Sequence, residues 1–239
     1  MPLAPTAAPS PVLFIVATPI GNLDDLTVRA AKVLGCVDRI LAEDTRTSQK
    51  LLAHLGIVKP LVPYHDFNKE KMTPRIIDEM RRGTVFALIT DAGTPGIADP
   101  AFNLVREAVR AGLTVSPVPG PCAAVAALVC SGLPTDRFVF EYFLPPKSGR
   151  RQNRLRELAQ EKRTVIFYES PHRILGTLED MREVMGPVEV VIGRELTKVF
   201  EEFLRGTPQK LLEHFGLHPP KGEMTVLFNP RVTASDAAG

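Results

Sequence analysis

The sequence predicts an α/β protein of two domains, the first built on a mostly parallel sheet and the second on a smaller, mixed sheet. Three observations carry this. Over residues 12–132, short apolar runs alternate with segments of helical period, the pattern of parallel strands linked by crossover helices. The longest connection follows one such run: Val85-Phe86-Ala87-Leu88-Ile89 leads into Thr90-Asp91-Ala92-Gly93-Thr94-Pro95-Gly96-Ile97-Ala98-Asp99-Pro100. After Ser131-Gly132-Leu133-Pro134-Thr135-Asp136 the pattern shifts to runs that pair as neighbours, which marks a boundary. The organisation is then a tail over 1–11, a first domain over 12–132, a second over 133–229 and a tail over 230–239.

The elements follow in order. Residues 12–17 read as a strand, and a loop from Thr18 to Thr27 leads into a helix ending near Leu34. A second strand over 36–42 ends in Glu43-Asp44-Thr45-Arg46, before a helix to about Leu55. A short strand near 61–64 precedes the polar loop His65-Asp66-Phe67-Asn68 and a helix over 69–82. The 85–89 strand and its long loop come next; Phe102, Leu104, Val105, Ala108 and Val109 then recur at helical spacing, with Asp99-Pro100 placed as N-cap and first helical residue. A strand over 113–117, the loop Pro119-Gly120-Pro121-Cys122-Ala123 and an Ala/Val-rich helix to about Cys130 complete the first domain. In the second, strands are expected over 138–143, 164–168, 188–194, 199–206 and 224–228, the last closing the sheet. Helices are expected over 171–185 and 208–215, with a basic helix capped by Ser148.

Composition narrows the function classes. A hydrophobic content of 44% supports a real core, and the Pro and Gly residues cluster in loops. Three cysteines, Cys36, Cys122 and Cys130, lack metal-ligand spacing and point to a reducing cytoplasm. No apolar run reaches membrane-spanning length, and residues 1–11 lack the basic start of a signal peptide. A net charge of +2 announces no nucleic-acid binder, yet residues 147–163 alone carry seven basic side chains against two acidic ones. Such a run is most often a solvated helix face, but concentrated charge of this kind also suits phosphate.

The loops exclude several ligands. There is no G-x-G-x-x-G fingerprint, no P-loop lysine, no zinc or EF-hand spacing and no nucleophile elbow, so no metal is expected. Several Gly/Pro loops at one sheet edge, with few charges, suit a compact ligand such as a nucleoside, read by backbone groups and apolar walls.

Thr18-Pro19-Ile20-Gly21-Asn22-Leu23, Ala42-Glu43-Asp44-Thr45-Arg46, Asp91-Ala92-Gly93-Thr94-Pro95, Pro119-Gly120-Pro121-Cys122-Ala123, Phe167-Tyr168-Glu169-Ser170-Pro171-His172-Arg173 and Lys221-Gly222-Glu223-Met224 together resemble the ribosomal small subunit methyltransferase I family, a member of the tetrapyrrole methylase-like (class III) superfamily. The resemblance spans roughly residues 12–228. It implies the tetrapyrrole methylase-like fold, S-adenosylmethionine as methyl donor, and a cytidine 2′-hydroxyl in the decoding region of 16S rRNA of the small ribosomal subunit as acceptor. It also implies a cytoplasmic homodimer with the cofactor in a cleft between its two α/β domains. Tyr142 departs from the family's Glu-Gly-Phe-Leu-Pro pattern, in which glycine holds that place; Phe200 stands where the aromatic residue is often tryptophan. Other class III acceptors, a tetrapyrrole carbon or a protein side chain, share the fold, and a non-catalytic rRNA-binding assembly factor is the reading from another class.

By the same resemblance the cofactor site is formed by Gly93, Thr94, Ile97, Cys122 and Ala123, which face the cofactor, by Asp91, which supports their loop, and by Pro19 and Gly21, which shape the opposite wall, although Ile97 and Ala123 also suit core packing and Asp91 a turn. The acceptor hydroxyl is a weak nucleophile that benefits from a general base. Glu43, Asp44, His65, Asp66 and Glu195 are the candidates, with Asp66 placed to orient His65. Asp44 equally suits a helix cap, and Glu195 an ion pair with Arg194 or Lys198, so the residues leave the choice open. For RNA, Lys147, Arg150, Arg151 and Arg154 of the basic helix are expected to grip phosphates, Arg150 and Arg154 sharing a face at i,i+4.

Overall fold

The computed structural model describes residues 10–233, and the chain divides into two compact units at Cys122/Ala123. The tails expected over 1–11 and 230–239 fall mostly outside the described residues.

The first unit contains β1 (Leu13–Val16), α1 (Val28–Cys36), β2 (Arg39–Ala42), α2 (Thr45–His54), β3 (Leu61–Pro63), α3 (Lys69–Arg81), β4 (Phe86–Ile89), α4 (Ala101–Arg110) and β5 (Val115–Val118). The strands form one sheet in the order β3-β2-β4-β1-β5, with every pairing parallel. The chain steps toward the β3 edge through α1 and α2, then back through α3 and α4. Right-handed crossovers therefore place the two helix pairs on opposite faces. Ala30, Leu34 and Leu52 pack with Val16, Ile40, Ala87 and Ile89 on one face, and Ile76, Met80, Leu104 and Ala108 pack with Leu13, Leu41, Phe86 and Leu88 on the other. β4 is buried along its whole length, which explains why it reads as an unbroken apolar run.

The second unit contains α5 (Ala123–Ser131), β6 (Phe138–Phe143), α6 (Ser148–Leu158), β7 (Thr164–Glu169), α7 (Ile174–Met185), β8 (Val188–Arg194), β9 (Glu202–Gly206), α8 (Pro208–Leu217) and β10 (Met224–Thr233). Its sheet runs β6-β7-β10-β8-β9; only β6 and β7 are parallel. Phe167, Val190, Ile192, Val226 and Phe228 meet Leu155, Ile174, Leu178, Met181 and Phe215 in its core.

Four details differ from the sequence reading. The Ala/Val-rich α5 packs on β7, β8 and β10, so the division falls at Cys122/Ala123 and not after Gly132. β10 lies inside the sheet between β7 and β8, where its apolar residues are buried on both sides; it runs on to Thr233, paired with Val188, so residues 229–233 are strand. Val199 and Phe200 sit in the exposed turn before β9 instead of within it. Finally, α4 is capped from one residue further out: Pro100 is the N-cap, and the Asp99 carboxylate accepts from the amides of Ala101 (2.8 Å) and Gly96 (2.7 Å).

Candidate active site

Because all strands of the first unit are parallel, the loops after β1, β2, β3, β4 and β5 reach the same carboxyl edge of the sheet, where open α/β sheets bind ligands. Four of the motifs singled out above lie on these loops, and the structure ties them together. Thr18 and Gly93 exchange backbone hydrogen bonds (2.9 and 3.1 Å), and the Thr18 hydroxyl donates to the Thr90 carbonyl at 3.1 Å. The Thr94 hydroxyl donates to the Pro121 carbonyl at 2.9 Å. The Asp44 amide donates to the Asp91 carboxylate at 3.2 Å, and the Thr90 hydroxyl donates to Glu43 at 2.9 Å.

Two glycines make this closeness possible. A Cβ on Gly120 would stand 2.9 Å from the Cβ of Ala17, so the loop after β5 meets the Ala17 methyl at the end of β1 only because Gly120 carries no side chain. Gly93 has φ +84°, a conformation that side chains disfavour, and this turns its backbone back onto Thr18. Among the other expected cofactor residues, Pro19, Thr94, Cys122 and Ala123 are half-buried, and Gly21 is exposed on the loop after β1. Ile97 is 39% exposed, which removes core packing as its role. Asp91 braces the Asp44 amide as described, so it joins two loops and does not merely form a turn.

The edge is acidic. Burial, moderated by the Thr90 hydrogen bond and reinforced by the nearby Asp91, Asp99 and Asp66 charges, raises the Glu43 pKa. Burial likewise raises Asp91 and Asp99 against their backbone hydrogen bonds. Partly desolvated carboxylates of like charge favour a cation brought among them.

The five candidate bases separate. Asp44 is the N-cap of α2 and pairs with Arg46 at 2.8 Å; the Arg46 hydrogen bonds lower its pKa to about 2, leaving it a poor base. Asp66 pairs with Lys69 at 2.7 Å and is not hydrogen-bonded to His65 among the described residues, so it does not orient that ring. Glu195 belongs to the second unit, where it pairs with Lys198 at 2.9 Å and accepts the Glu223 amide at 3.1 Å; the Lys198 bond is the main reason its pKa is lowered. Arg194, its other expected partner, pairs instead with Glu202. His65 follows β3, and its Nδ1 is buried without a hydrogen-bond partner among the described residues. Glu43 follows β2 and gives Thr90 one of its oxygens.

The basic helix α6 differs most from expectation. Ser148 is its first residue and caps nothing; its hydroxyl donates to Asp180 at 2.8 Å. Arg151 is buried and ion-paired with Asp180 at 2.6 Å, so it cannot reach a phosphate. Arg154 is held by both oxygens of Glu141 (2.9 and 2.7 Å) and by Glu157. Lys147 and Arg150 are exposed, with no side-chain hydrogen bond or ion pair among the described residues. Asp180 and Glu141 lie 29 and 13 positions from their arginines, too far for local spacing to reveal them. Glu169, which the sequence shows only as one member of the motif over 167–173, anchors α7 by accepting from Thr177 at 2.7 Å and pairing with Arg173 at 3.2 Å.

The family described as tetrapyrrole (corrin/porphyrin) methylases matches residues 12–212, and the chain is a member of it. Solved structures share the fold at low identity. A uroporphyrin-III C-methyltransferase from Thermus thermophilus has a TM-score of 0.63 at 24% identity, covering 90% of this chain and 93% of its own. A cobalt precorrin-4 methyltransferase has 0.68 at 21%, covering 91% and 94%, and a diphthine synthase has 0.69 at 14%, covering 95% and 92%. Sequence relatives are nearer. Proteins named ribosomal RNA small subunit methyltransferase I are 50% identical in Haemophilus influenzae, over 90% of this chain and 77% of that one, and 46% identical in Thermotoga maritima, over 91% and 97%. Within the methylases, the chain belongs to the ribosomal RNA small subunit methyltransferase I family. Among the described residues, no helix is long and apolar enough to cross a membrane.

Proposed function

We propose that this protein transfers a methyl group from S-adenosylmethionine to the 2′-hydroxyl of a cytidine in the decoding region of 16S rRNA, acting on the small ribosomal subunit in the cytoplasm. The observation that carries the reading is identity of 46–50% with ribosomal RNA methyltransferases over some nine-tenths of the chain, against 14–24% with the tetrapyrrole and diphthine enzymes. That difference favours an RNA acceptor over a tetrapyrrole or protein one, and membership in a methyltransferase family speaks against a mere assembly factor.

The carboxyl edge of the parallel sheet fits such a donor in its chemistry. When bound, S-adenosylmethionine supplies an electrophilic methyl on a sulfonium, and its cationic groups complement the desolvated Glu43, Asp91 and Asp99 carboxylates. Gly93, Thr94, Ile97, Cys122 and Ala123 are the residues we assign to hold it, with Pro19 and Gly21 shaping the opposite wall and Asp91 supporting the loop after β4. The protein's task is to hold donor and acceptor in line and to exclude water. Glu43 and His65 are the two candidates not already spent on a cap or an ion pair, and one of them is assigned to take the proton of the acceptor hydroxyl. We assign the family's homodimer to this chain as well; sedimentation giving a monomer at micromolar concentration would contradict that assignment.

The test is methyl transfer to small ribosomal subunits followed by mass mapping of the digested 16S rRNA. One new methyl on the ribose of a decoding-region cytidine is expected. A methyl on a base or on ribosomal protein, or none, would refute the reading.

A further inference from the structure

Strand register fixes which side chains meet at the carboxyl edge of the first sheet. β2 and β4 are parallel with Ala42 opposite Ile89, so the residues that follow, Glu43 and Thr90, stand opposite one another where the strands end. The Thr90 hydroxyl donates to Glu43 Oε2 at 2.9 Å, the only side-chain hydrogen bond of either residue among the described residues. Thr90 is held in turn. Buried Thr18 donates its hydroxyl to the Thr90 carbonyl at 3.1 Å and exchanges backbone hydrogen bonds with Gly93. On the other side of Glu43, the Asp44 amide donates to Asp91 at 3.2 Å. The carboxylate therefore sits between two pinned segments, with a buried hydroxyl fixing one of its oxygens.

This separates Glu43 from His65. Glu43 Oε1 has no partner among the described residues and is open to solvent, so one oxygen is occupied and the other is free to take a proton. In His65 the buried Nδ1 has no hydrogen-bond partner among the described residues. A hydrogen on Nδ1 would be a buried donor left unmatched, which the other tautomer avoids. That tautomer puts the lone pair on the buried nitrogen and the hydrogen on Nε2, which can then only donate. Asp66, the neighbour that could reverse this by accepting from Nδ1, is bonded to Lys69 instead. The charges around Glu43 are Asp91 and Asp99 from the loop after β4 and Asp66 from the loop after β3, with Asp44 beside it paired to Arg46.

We propose that Glu43 is the general base of the methyl transfer and that Thr90 is the residue that positions it. The proposal rests on the reading of the acceptor as a ribose hydroxyl of rRNA and names the groups that activate it. The hydroxyl gives its proton to Glu43 Oε1 as its oxygen bonds to the donor methyl, and the methyl–sulfur bond breaks with its electron pair left on sulfur. The products are a ribose methyl ether, a neutral thioether and a protonated Glu43. Burial raises the Glu43 pKa, which brings the carboxylate nearer the range in which a base is both ionised and able to hold a proton. The Thr90 hydrogen bond opposes that rise and keeps the charged form available.

Single-turnover methylation of small ribosomal subunits at saturating S-adenosylmethionine, measured across a pH series, reads the base. Glu43→Gln should slow transfer by about a hundredfold or more and lose the fall in rate on the acid side. Thr90→Val keeps the branched shape and removes only the hydroxyl. Its acid limb should move to higher pH, because the bond that favours the charged carboxylate is gone, and Thr90→Ser should restore it. Carbon NMR of the empty protein, labelled at its glutamate carboxyls, reads the same group without activity; the Glu43 resonance is the one absent from Glu43→Gln. Its titration midpoint should rise in Thr90→Val and return in Thr90→Ser, a shift that a merely structural Thr90 would not produce. An unmoved midpoint overturns the positioning role. A wild-type rate and profile in Glu43→Gln, or an acid limb that vanishes in His65→Asn and persists in Glu43→Gln, overturns the base. A wild type that transfers no methyl to the small subunit strikes the rRNA reading, and the carboxyl midpoint then decides the role of Thr90 by itself.

Discussion

The carboxyl edge of the first sheet and the helix α6 are both rich in groups that bind ligands, and they use those groups in opposite ways. At the sheet edge, Thr18, Gly93, Thr94, Pro121, Asp44 and Asp91 bond loop to loop, and the carboxylates of Glu43, Asp91 and Asp99 are left partly desolvated with no ion pair among the described residues. In α6, Arg151 and Arg154 are consumed by Asp180, Glu141 and Glu157. The difference teaches that a charge is available to a ligand only when the fold has not already matched it. Unmatched charge raises the free energy of the empty protein, so it is retained where something binds; matched charge holds the structure together.

Removing one partner from each region should give the largest contrast. Arg151→Ala leaves Asp180 buried beside Ser148 and Gln152 without its cation, and should cost about 3–5 kcal/mol in urea unfolding. Arg150→Ala, one residue away and exposed, should change stability by no more than about 0.5 kcal/mol. Equal effects would erase the distinction drawn within α6.

Acid should act on the two regions with opposite sign. Burial raises Asp180, but hydrogen bonds from Gln152, Ser148 and Arg151 outweigh it and its pKa is lowered. Its contribution is therefore complete above the unfolded carboxylate value and is lost as pH falls below that value, through its folded pKa. Glu43, Asp91 and Asp99 are raised. Between their folded pKa values and the ordinary carboxylate range, the folded state binds protons that the unfolded state does not, so acidification stabilises the empty protein there. The same protonation removes the charges that favour a cation. Affinity for S-adenosylmethionine, followed by calorimetry down a pH series, should start to fall above the ordinary carboxylate range. A constant affinity through that window would show that these carboxylates do not face the donor.

A smaller effect belongs to the RNA. Arg150→Ala should reduce the slope of log affinity against log salt by about one unit, the value of one phosphate contact. An unaltered slope would make α6 a solvated face and move the search to Arg46, Lys50 and Lys69, which lie after β2 and β3.

These contrasts also explain what the sequence could and could not disclose. The 85–89 strand, the long loop after it and the pairing of opposite helix faces follow from local apolar period and Gly/Pro punctuation, which one chain segment displays by itself. Parallel pairing then brings the loops to one edge regardless of their side chains, so the site's location was legible before any contact was known. The fate of Arg151 was not, because it depends on Asp180 from another helix. The same holds for α5, whose apolar surface reads identically whichever sheet it covers. Asp44 and Asp66 were ambiguous for a different reason: a carboxylate beside a helix start is a cap, an ion pair or a base, and only the resolved partner distinguishes them.

Parallel calorimetric titrations of S-adenosylmethionine into wild type, Ala123→Trp and Arg150→Ala test the division of roles most directly. Ala123 is half-buried at the start of α5, directly after Cys122, and an indole there should obstruct the donor. Wild type and Arg150→Ala should bind with the same affinity, while folded Ala123→Trp should bind about tenfold to a hundredfold more weakly, the range that overpacking a fitted site costs. Unchanged binding by folded Ala123→Trp, or a loss in Arg150→Ala instead, would contradict the assignment of the donor to the loops at the end of the parallel strands.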